Sequence, residues 1–307
     1  MSELVSVNGS QPDVALNGHN VIGRSRNCNL HLDDPRVSAL HAQLQWTASG
    51  WELRDLGSRN GTWVNGQRLP PGKTVLLTKG AVLAFGSNAQ CWRLVNTNQP
   101  RAFALPLDGG NNVYAKGEIL ALPSPTNPLL SVFRRPDDSW VAEDAVAAKQ
   151  VTDGDTVAVD GTTWRLSLPT PNQGTVDDDS MTPGLSRIGV ELAHSQDEEH
   201  ISVTLLLSNR NVTLRPRAHN YLLLTLARAR QTDAENPKLP ESEHGWVFVQ
   251  ELTKMLGCGE NNINVDVYRA RRQFEDAGVG GAAQLIERRP DSRQIRLGIG
   301  RLHIRPV

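Results

Sequence analysis

Between Val21 and Gly66 the chain alternates apolar and polar residues over short runs. The clearest are Ala42-Gln43-Leu44-Gln45-Trp46 and Trp51-Glu52-Leu53-Arg54-Asp55-Leu56. A period of two is that of a strand with one buried face, so this stretch is a series of half-buried β-strands. Four polar islands interrupt the runs: Gly23-Arg24-Ser25, Ser38 with His41 three residues on, Asn60-Gly61-Thr62, and Asn65-Gly66. They fall in the turns, and in a β-sandwich such turns gather at one end.

The side chains in those turns suit one kind of ligand. Arg24 carries a fork of donors that matches a phosphate. Ser38 adds a hydroxyl, and Asn60 adds an amide donor and acceptor. Gly23, Gly61 and Gly66 allow tight backbone paths. The set fits an anion joined to an extended peptide. It does not fit catalysis: no third orienting carboxylate or oxyanion motif accompanies Ser38 and His41.

In order, the stretch carries GR, SxxH, NG and a second NG, within VIGRSRNCNLHLDDPRVSALHAQL and WELRDLGSRNGTWVNGQRL. Four motifs in sequence are far more specific than any one alone. Residues 1–97 resemble a forkhead-associated (FHA) domain, which implies an all-β sandwich of eleven strands that binds phosphothreonine peptides through its loops. The resemblance assigns Arg24 and Ser38 to the phosphate oxygens and Asn60 to the ligand main chain, with Arg59 adding a charged contact. His41 becomes a strut for the Ser38 loop, and Gly23 and Gly61 become shape residues. Ser25, Arg26 and Arg36 lie on the same loops, where they would meet flanking residues of the peptide. Asn65 either forms a turn or touches the ligand.

A chain of 307 residues is long enough for two or three domains. Its net charge of −1 conceals a split. Residues 1–100 hold nine basic against six acidic side chains, residues 101–200 seven against sixteen, and residues 201–307 sixteen against eleven. An acidic middle argues against nucleic acid there, and a basic C-terminal part hints at an anionic partner. Cys28, Cys91 and Cys258 form no metal spacing and no even disulfide set, which suits reduced thiols. No leader pattern and no membrane-length apolar run is evident, so the expected location is cytoplasmic. No cofactor and no metal is implied.

The middle resembles the beginning. Val151–Pro169 can be set against the strand pair that closes the first sandwich, Leu129–Asp144 against His41–Leu56, and Ala115–Pro123 against Asn17–Ser25. Residues 100–169 thus read either as a worn internal repeat, a degenerate FHA-like β domain, or as a β-rich extension of the first sandwich. In the repeat register Leu122 stands where Arg24 stands, and nothing answers to Ser38, His41 or Asn60. Such a copy would hold no phosphate. Residues 170–199 are acidic and aperiodic, and read as a flexible linker. Thr175, Ser180, Thr182 and Ser186 within it lie among acids, so it reads as a tether or as an intramolecular phospho-switch.

From Ile201 the period changes. Two strands are followed by three helices and a hairpin. The third helix, from about Asn261 to Asp276, puts Ile263, Val267, Ala270 and Phe274 on one face. Residues 200–307 form an α+β domain similar to the winged helix-turn-helix of response regulators, carried by INVDVYRARRQFED and LIERRPDSRQIRLGIG. The resemblance places the third helix in the DNA major groove. Asn261, Tyr268, Arg269 and Arg272 would then face the bases, and Arg288, Arg289 and Arg293 on the wing would face phosphates. Val265 and Tyr268 on the same outward face suit a protein contact equally. Two functions follow. One is a kinase-linked transcription regulator that reads a phosphothreonine protein, such as a Ser/Thr kinase or its substrate, and double-stranded DNA. The other is a phospho-dependent adaptor whose winged helix holds protein. No nucleotide loop, metal cluster or triad supports an enzyme.

Overall fold

A computed structural model describes residues 3–9, 13–88, 90–169, 183–290 and 292–307. The chain divides into two compact units. The first runs to Phe103 and takes back the segment that starts at Leu166; the second holds Ala104–Arg165 and the C-terminal part of the chain.

Eleven strands build the first unit: β1 (Glu3–Ser6), β2 (Val14–Ala15), β3 (His19–Gly23), β4 (Leu30–His31), β5 (Ala42–Thr47), β6 (Gly50–Asp55), β7 (Thr62–Val64), β8 (Gln67–Arg68), β9 (Thr74–Leu76), β10 (Val82–Phe85) and β11 (Cys91–Leu94). They form two sheets, ordered β2-β1-β11-β10-β7-β8 and β4-β3-β5-β6-β9. The alternating runs pair as expected. Leu44 lies opposite Leu53 and Trp46 opposite Trp51. Their inward side chains meet Leu83, Phe85, Trp92 and Leu94 in one core. Burying each such side chain contributes about 1.5–3 kcal/mol.

The second unit begins with eight strands: β12 (Phe103–Pro106), β13 (Val113–Tyr114), β14 (Leu120–Ser124), β15 (Asn127–Arg134), β16 (Trp140–Glu143), β17 (Ala148–Val151), β18 (Thr156–Val159) and β19 (Thr162–Ser167). Their sheets run β13-β12-β19-β18 and β14-β15-β16-β17. Set beside the first unit, the same order recurs as β2-β1-β11-β10 and β3-β5-β6-β9. Among the described residues nothing corresponds to β4, β7 or β8. Of these, β4 bounds the loop bearing Ser38 and β7 the loop bearing Asn60.

The remainder forms a four-stranded sheet, three helices and a hairpin. The elements are β20 (Gly189–His194), β21 (Ile201–Leu206), β22 (Asn211–Thr213), α1 (Asn220–Ala234), β23 (Val247–Phe248), α2 (Val249–Leu256), α3 (Glu260–Asp276), β24 (Ile286–Arg288), β25 (Gln294–Leu297) and β26 (Leu302–Pro306). α2 stops at Gly257, which takes the left-handed conformation (φ 62°) that glycine adopts without strain. Ile263, Val267, Ala270 and Phe274 of α3 are buried with Leu222 and Leu226 of α1 and Leu252 of α2. Among the described residues no helix is long and apolar enough to cross a membrane.

Two expectations are corrected. The proposed linker over 170–199 is a strand for part of its length: β20 is a central strand, antiparallel to β21 and parallel to β26. The acids around Ile188-Gly189-Val190-Glu191-Leu192 hide a buried alternation, and the parallel partner lies more than a hundred residues away in sequence. Thr175, Ser180 and Thr182 lie outside the described residues, while Ser186 sits in a short 3-10 turn. The second correction concerns α3. It has a further buried flank, Asn264, Tyr268 and Arg271: Tyr268 packs with Ile119, Ala121 and Phe133 of the preceding β region, Asn264 donates to Leu129 O and Arg271 to Glu143. Residues 200–307 are therefore not a free-standing domain.

Candidate functional site

The loops β3–β4, β4–β5 and β6–β7 meet at a pit of about 200 Å³ lined by Arg24, Pro35, Arg36, Val37, Ser38, Ala39, Arg59 and Asn60. Backbone bonds hold the first two loops together: Arg24 N–H donates to Ser38 O (2.9 Å) and Ser25 N–H to Ala39 O (3.0 Å). Gly23 permits this approach, because a Cβ there would lie 2.3 Å from Ala39 O. Gly86 (φ 72°) does the same beneath the rim, where a Cβ would lie 2.5 Å from Arg36 O.

His41 is fully buried. Its Nδ1 accepts the Ser38 N–H (3.0 Å), and its Nε2 lies 2.9 Å from Gly61 O. That pattern requires the neutral ring with its proton on Nε2. Burial lowers its pKa and outweighs the opposing pull of Gly61 O and Asp55. The histidine thus ties the Ser38 loop to the Asn60 loop.

Asp55, at the end of β6, does comparable work. Its Oδ1 accepts the N–H groups of Gly57 and Ser58 (both 2.8 Å), and its Oδ2 accepts the hydroxyls of Ser58 and Thr62 (both 2.6 Å). Burial pushes its carboxyl up, but the hydroxyls of Ser58 and Thr62 and the two N–H groups outweigh burial and leave it below the usual range. Sequence reasoning passed over Asp55 as one more strand residue. The available signal was an Asp three residues before Ser58 and seven before Thr62, the pattern of a side chain that caps a turn. Asp55→Ala strips four donors of their acceptor and should cost about 3 kcal/mol. Urea unfolding followed by tryptophan fluorescence measures this.

What remains unused points into the pit. Ser38 Oγ accepts the Arg59 N–H (3.1 Å), which leaves its own proton to donate. Arg24 Nε reaches Val37 O (3.3 Å), and its terminal nitrogens have no partner among the described residues. Asn60 Nδ2 donates to Arg36 O (2.7 Å), which leaves Oδ1 as a free acceptor. Arg36 is itself held by Asp34 (2.7 Å). Arg24 and Arg59 are exposed. The pit offers donors to an anion at its centre and an acceptor to a main-chain N–H at its edge.

Two proposed ligand residues stand elsewhere. Asn65 and Gly66, both at positive φ (51° and 78°), form the tight turn between β7 and β8, and Asn65 Oδ1 accepts the Val82 N–H (2.9 Å). Asn65 is a turn former and lies outside the lining of the pit. Ser25 lies outside the lining, with its hydroxyl 3.4 Å from the Asn27 N–H.

The proposed DNA contacts scatter. Asn261 and Arg269 are exposed on α3. Tyr268 is only 4% exposed. Arg272 donates to Lys116 O (2.7 Å) and Asp276 (2.5 Å) and pairs with Glu275. Arg288 is buried beside Glu143, with Nε 2.9 Å from Oε1, and donates to Asn264 Oδ1 (2.6 Å). Arg289 pairs with Glu243 over the ring of Trp246, and Arg293 with Glu260 (2.6 Å). Tyr268, Arg272 and Arg288 are therefore corrected from groove contacts to packing and ion-pair residues. A helix read from its own sequence has one inner face; the β region at 104–165 supplies a second.

The N-terminal loops thus make a phosphate-sized, donor-lined pit at the end of an all-β sandwich. Residues 20–86 match the family model of the FHA domain, so this part of the chain is an FHA domain. Over 89 residues the chain is 35% identical to the DNA damage response protein kinase DUN1 of Saccharomyces cerevisiae, covering 26% of this chain and 17% of that protein. Over 92 residues it is 34% identical to human kanadaptin, covering 26% of this chain and 12% of that protein. The chain thus spans a small part of the relatives it matches. Among solved structures, the N-terminal FHA domain of S. cerevisiae Rad53p, in complex with a phosphothreonine peptide, is 23% identical with a TM-score of 0.30, covering 32% of this chain and 93% of that one.

Proposed function

We propose that this chain is a non-catalytic, cytoplasmic reader of phosphothreonine, docking through its FHA domain on a phosphorylated protein such as a Ser/Thr kinase or its substrate. The observation that carries the reading is the set of unspent groups at the pit: the Arg24 fork, the Ser38 hydroxyl proton and Asn60 Oδ1. Phosphothreonine brings about −1.5 to −2 charges and three acceptor oxygens. The strand order of 104–165 supports a second, degenerate FHA-like sandwich, in which Leu122 at the Arg24 position and the missing loops leave no phosphate site. A phosphothreonine peptide library, with each peptide paired to its unphosphorylated twin, tests the reading. Binding is expected only for phosphorylated members; equal retention of both sets would refute it.

For the C-terminal part the adaptor reading is favoured over the transcription regulator. Of the seven residues proposed for DNA, Tyr268, Arg272 and Arg288 are engaged with the β region at 104–165 or with their own helix. The regulator reading keeps the support of its element order, which is that of a winged helix, and of exposed Arg269. A DNA reader loses affinity steeply with salt. The full chain is expected to show no salt-dependent shift of duplex DNA that Arg269→Ala and Arg289→Ala abolish. Such a shift would restore the regulator.

A further inference from the structure

A second cleft, of about 880 Å³, opens within the C-terminal unit. Arg215 and Arg217 form one wall, Tyr268, Arg269 and Gln273 of α3 another, and Lys116 closes the rim. The phosphothreonine reading makes no use of it.

Its charge is one-sided. Lys116, Arg215 and Arg217 are exposed, and their side-chain cations have no partner among the described residues. Arg269 is 4.0 Å from Asp266 at the limit of an ion pair. Asp276 is the acid in the lining, and it is taken up by Arg272. The cleft floor is equally specific. Tyr268 is 4% exposed, and its hydroxyl has no hydrogen-bond partner among the described residues. That hydroxyl is not among the buried unpartnered atoms, so its oxygen opens on the cleft and its proton is free to be donated to a ligand acceptor.

The wall is also braced. Buried His219 holds Gln273 Oε1 through Nε2 (2.7 Å), and Gln273 Nε2 donates to Arg215 O (2.7 Å). Burial keeps His219 neutral by lowering its pKa, so the brace holds near pH 7. The Arg215 backbone is thereby set before any ligand arrives, which lowers the ordering cost of binding.

We propose that this cleft binds a small, multiply phosphorylated ligand, with Arg215, Arg217, Arg269 and Lys116 on the phosphates and the Tyr268 hydroxyl donating to one of their oxygens. The volume lies in the range of small-molecule sites, about 300–1,000 Å³. Guanidinium forks match phosphate oxygens in pairs. A nucleic acid duplex would have to lie along α3, whose flank is covered by Phe133 and Ile119; a compact anion does not.

The test is isothermal titration of the full chain at constant ionic strength with inorganic tripolyphosphate and, separately, ATP. One site per chain is expected. Arg215→Ala with Arg217→Ala should weaken it at least tenfold, and Tyr268→Phe should weaken it severalfold without unfolding the chain. Phosphopeptide binding should survive those changes, and Arg24→Ala should leave the cleft unaffected. Preference for ATP would identify a nucleotide, and preference for tripolyphosphate a non-nucleoside phosphate; either supports the site. No heat with both probes, heat abolished by Arg24→Ala, heat untouched by the double variant, or displacement by duplex DNA at equal affinity would overturn it.

Discussion

Arg24→Ala is expected to lower affinity for a phosphothreonine peptide at least a hundredfold while leaving the fold intact. The side chain is exposed, and its one internal bond is the weak contact from Nε to Val37 O at 3.3 Å. Removing it therefore disturbs little of the sandwich. On the ligand side it removes the fork that would meet the phosphate. Hydrogen bonds to charged groups contribute about 1.5–3 kcal/mol each, so losing two is worth about 3–6 kcal/mol, or more than two powers of ten. Arg59→Ala, at the rim, should cost less, because an exposed charge contributes about 0–1 kcal/mol. Fluorescence anisotropy with a labelled peptide reads both. Equal losses for the two variants would sink the assignment of Arg24 to the phosphate.

The same site should fail in acid. His41 is neutral in the fold and its pKa is lowered, chiefly by burial. A depressed histidine favours the fold above its unfolded value of about 6.5, and that contribution is lost as pH falls through the lower folded value. Protonation would put a hydrogen on Nδ1, where the Ser38 N–H now binds, and loosen the loop. The second pKa of the phosphate, about 6, acts in the same direction over the same range.

Glu143→Ala should destabilise the second unit by about 3–5 kcal/mol, the cost of leaving buried charges without their counter-ion. Glu143 is 5% exposed and Arg271 1%. Arg271 donates to both carboxylate oxygens (3.0 and 3.3 Å) and lies over the Phe133 ring at 4.7 Å. Burial pushes the Glu143 carboxyl up, but the charges of Arg271 and Arg288 and their hydrogen bonds outweigh it and hold it below the usual carboxylate range. A carboxyl depressed in the fold contributes stability above its unfolded pKa of about 4.3. That stability is lost as pH falls through the lower folded value. Urea midpoints at pH 7 and pH 3.5 should therefore converge between Glu143→Ala and the parent protein as the solution is acidified. A change below about 1 kcal/mol at pH 7 would mean that water reaches the triad and screens it. Because β16 carries Glu143 and α3 carries Arg271, the loss should also free the α3 flank, seen as faster amide exchange in α3.

The alternation around Ala42–Leu56 and the order of the four islands located the sandwich, the turn cluster and Arg24, Ser38, Asn60 and His41. These are local matters: a strand's period, a turn's glycine and a hydroxyl three residues from a histidine are all written within a short span. The apolar face of α3 was legible for the same reason. Asn65 was legible only as an alternative, because an Asn-Gly pair serves a turn and a ligand alike until its partner, Val82, is known. Asp55 went unread because its importance lies in four donors brought to one point.

What lay beyond the sequence shares a cause. β20 is a strand because β26 lies beside it. Tyr268 and Arg288 left the groove-facing set because the β region at 104–165 packs on them, and Arg272 because Lys116 O, Glu275 and Asp276 engage it. Glu143 matters because two arginines from distant elements converge on it, and the basic cleft exists because Lys116, Arg215 and α3 share one wall. Periodicity records which way a side chain faces within its own element, and so the sequence alone sufficed for the FHA fold and its loops. Which surface then meets that side chain depends on contacts between segments a hundred residues apart, and these only the folded chain decides.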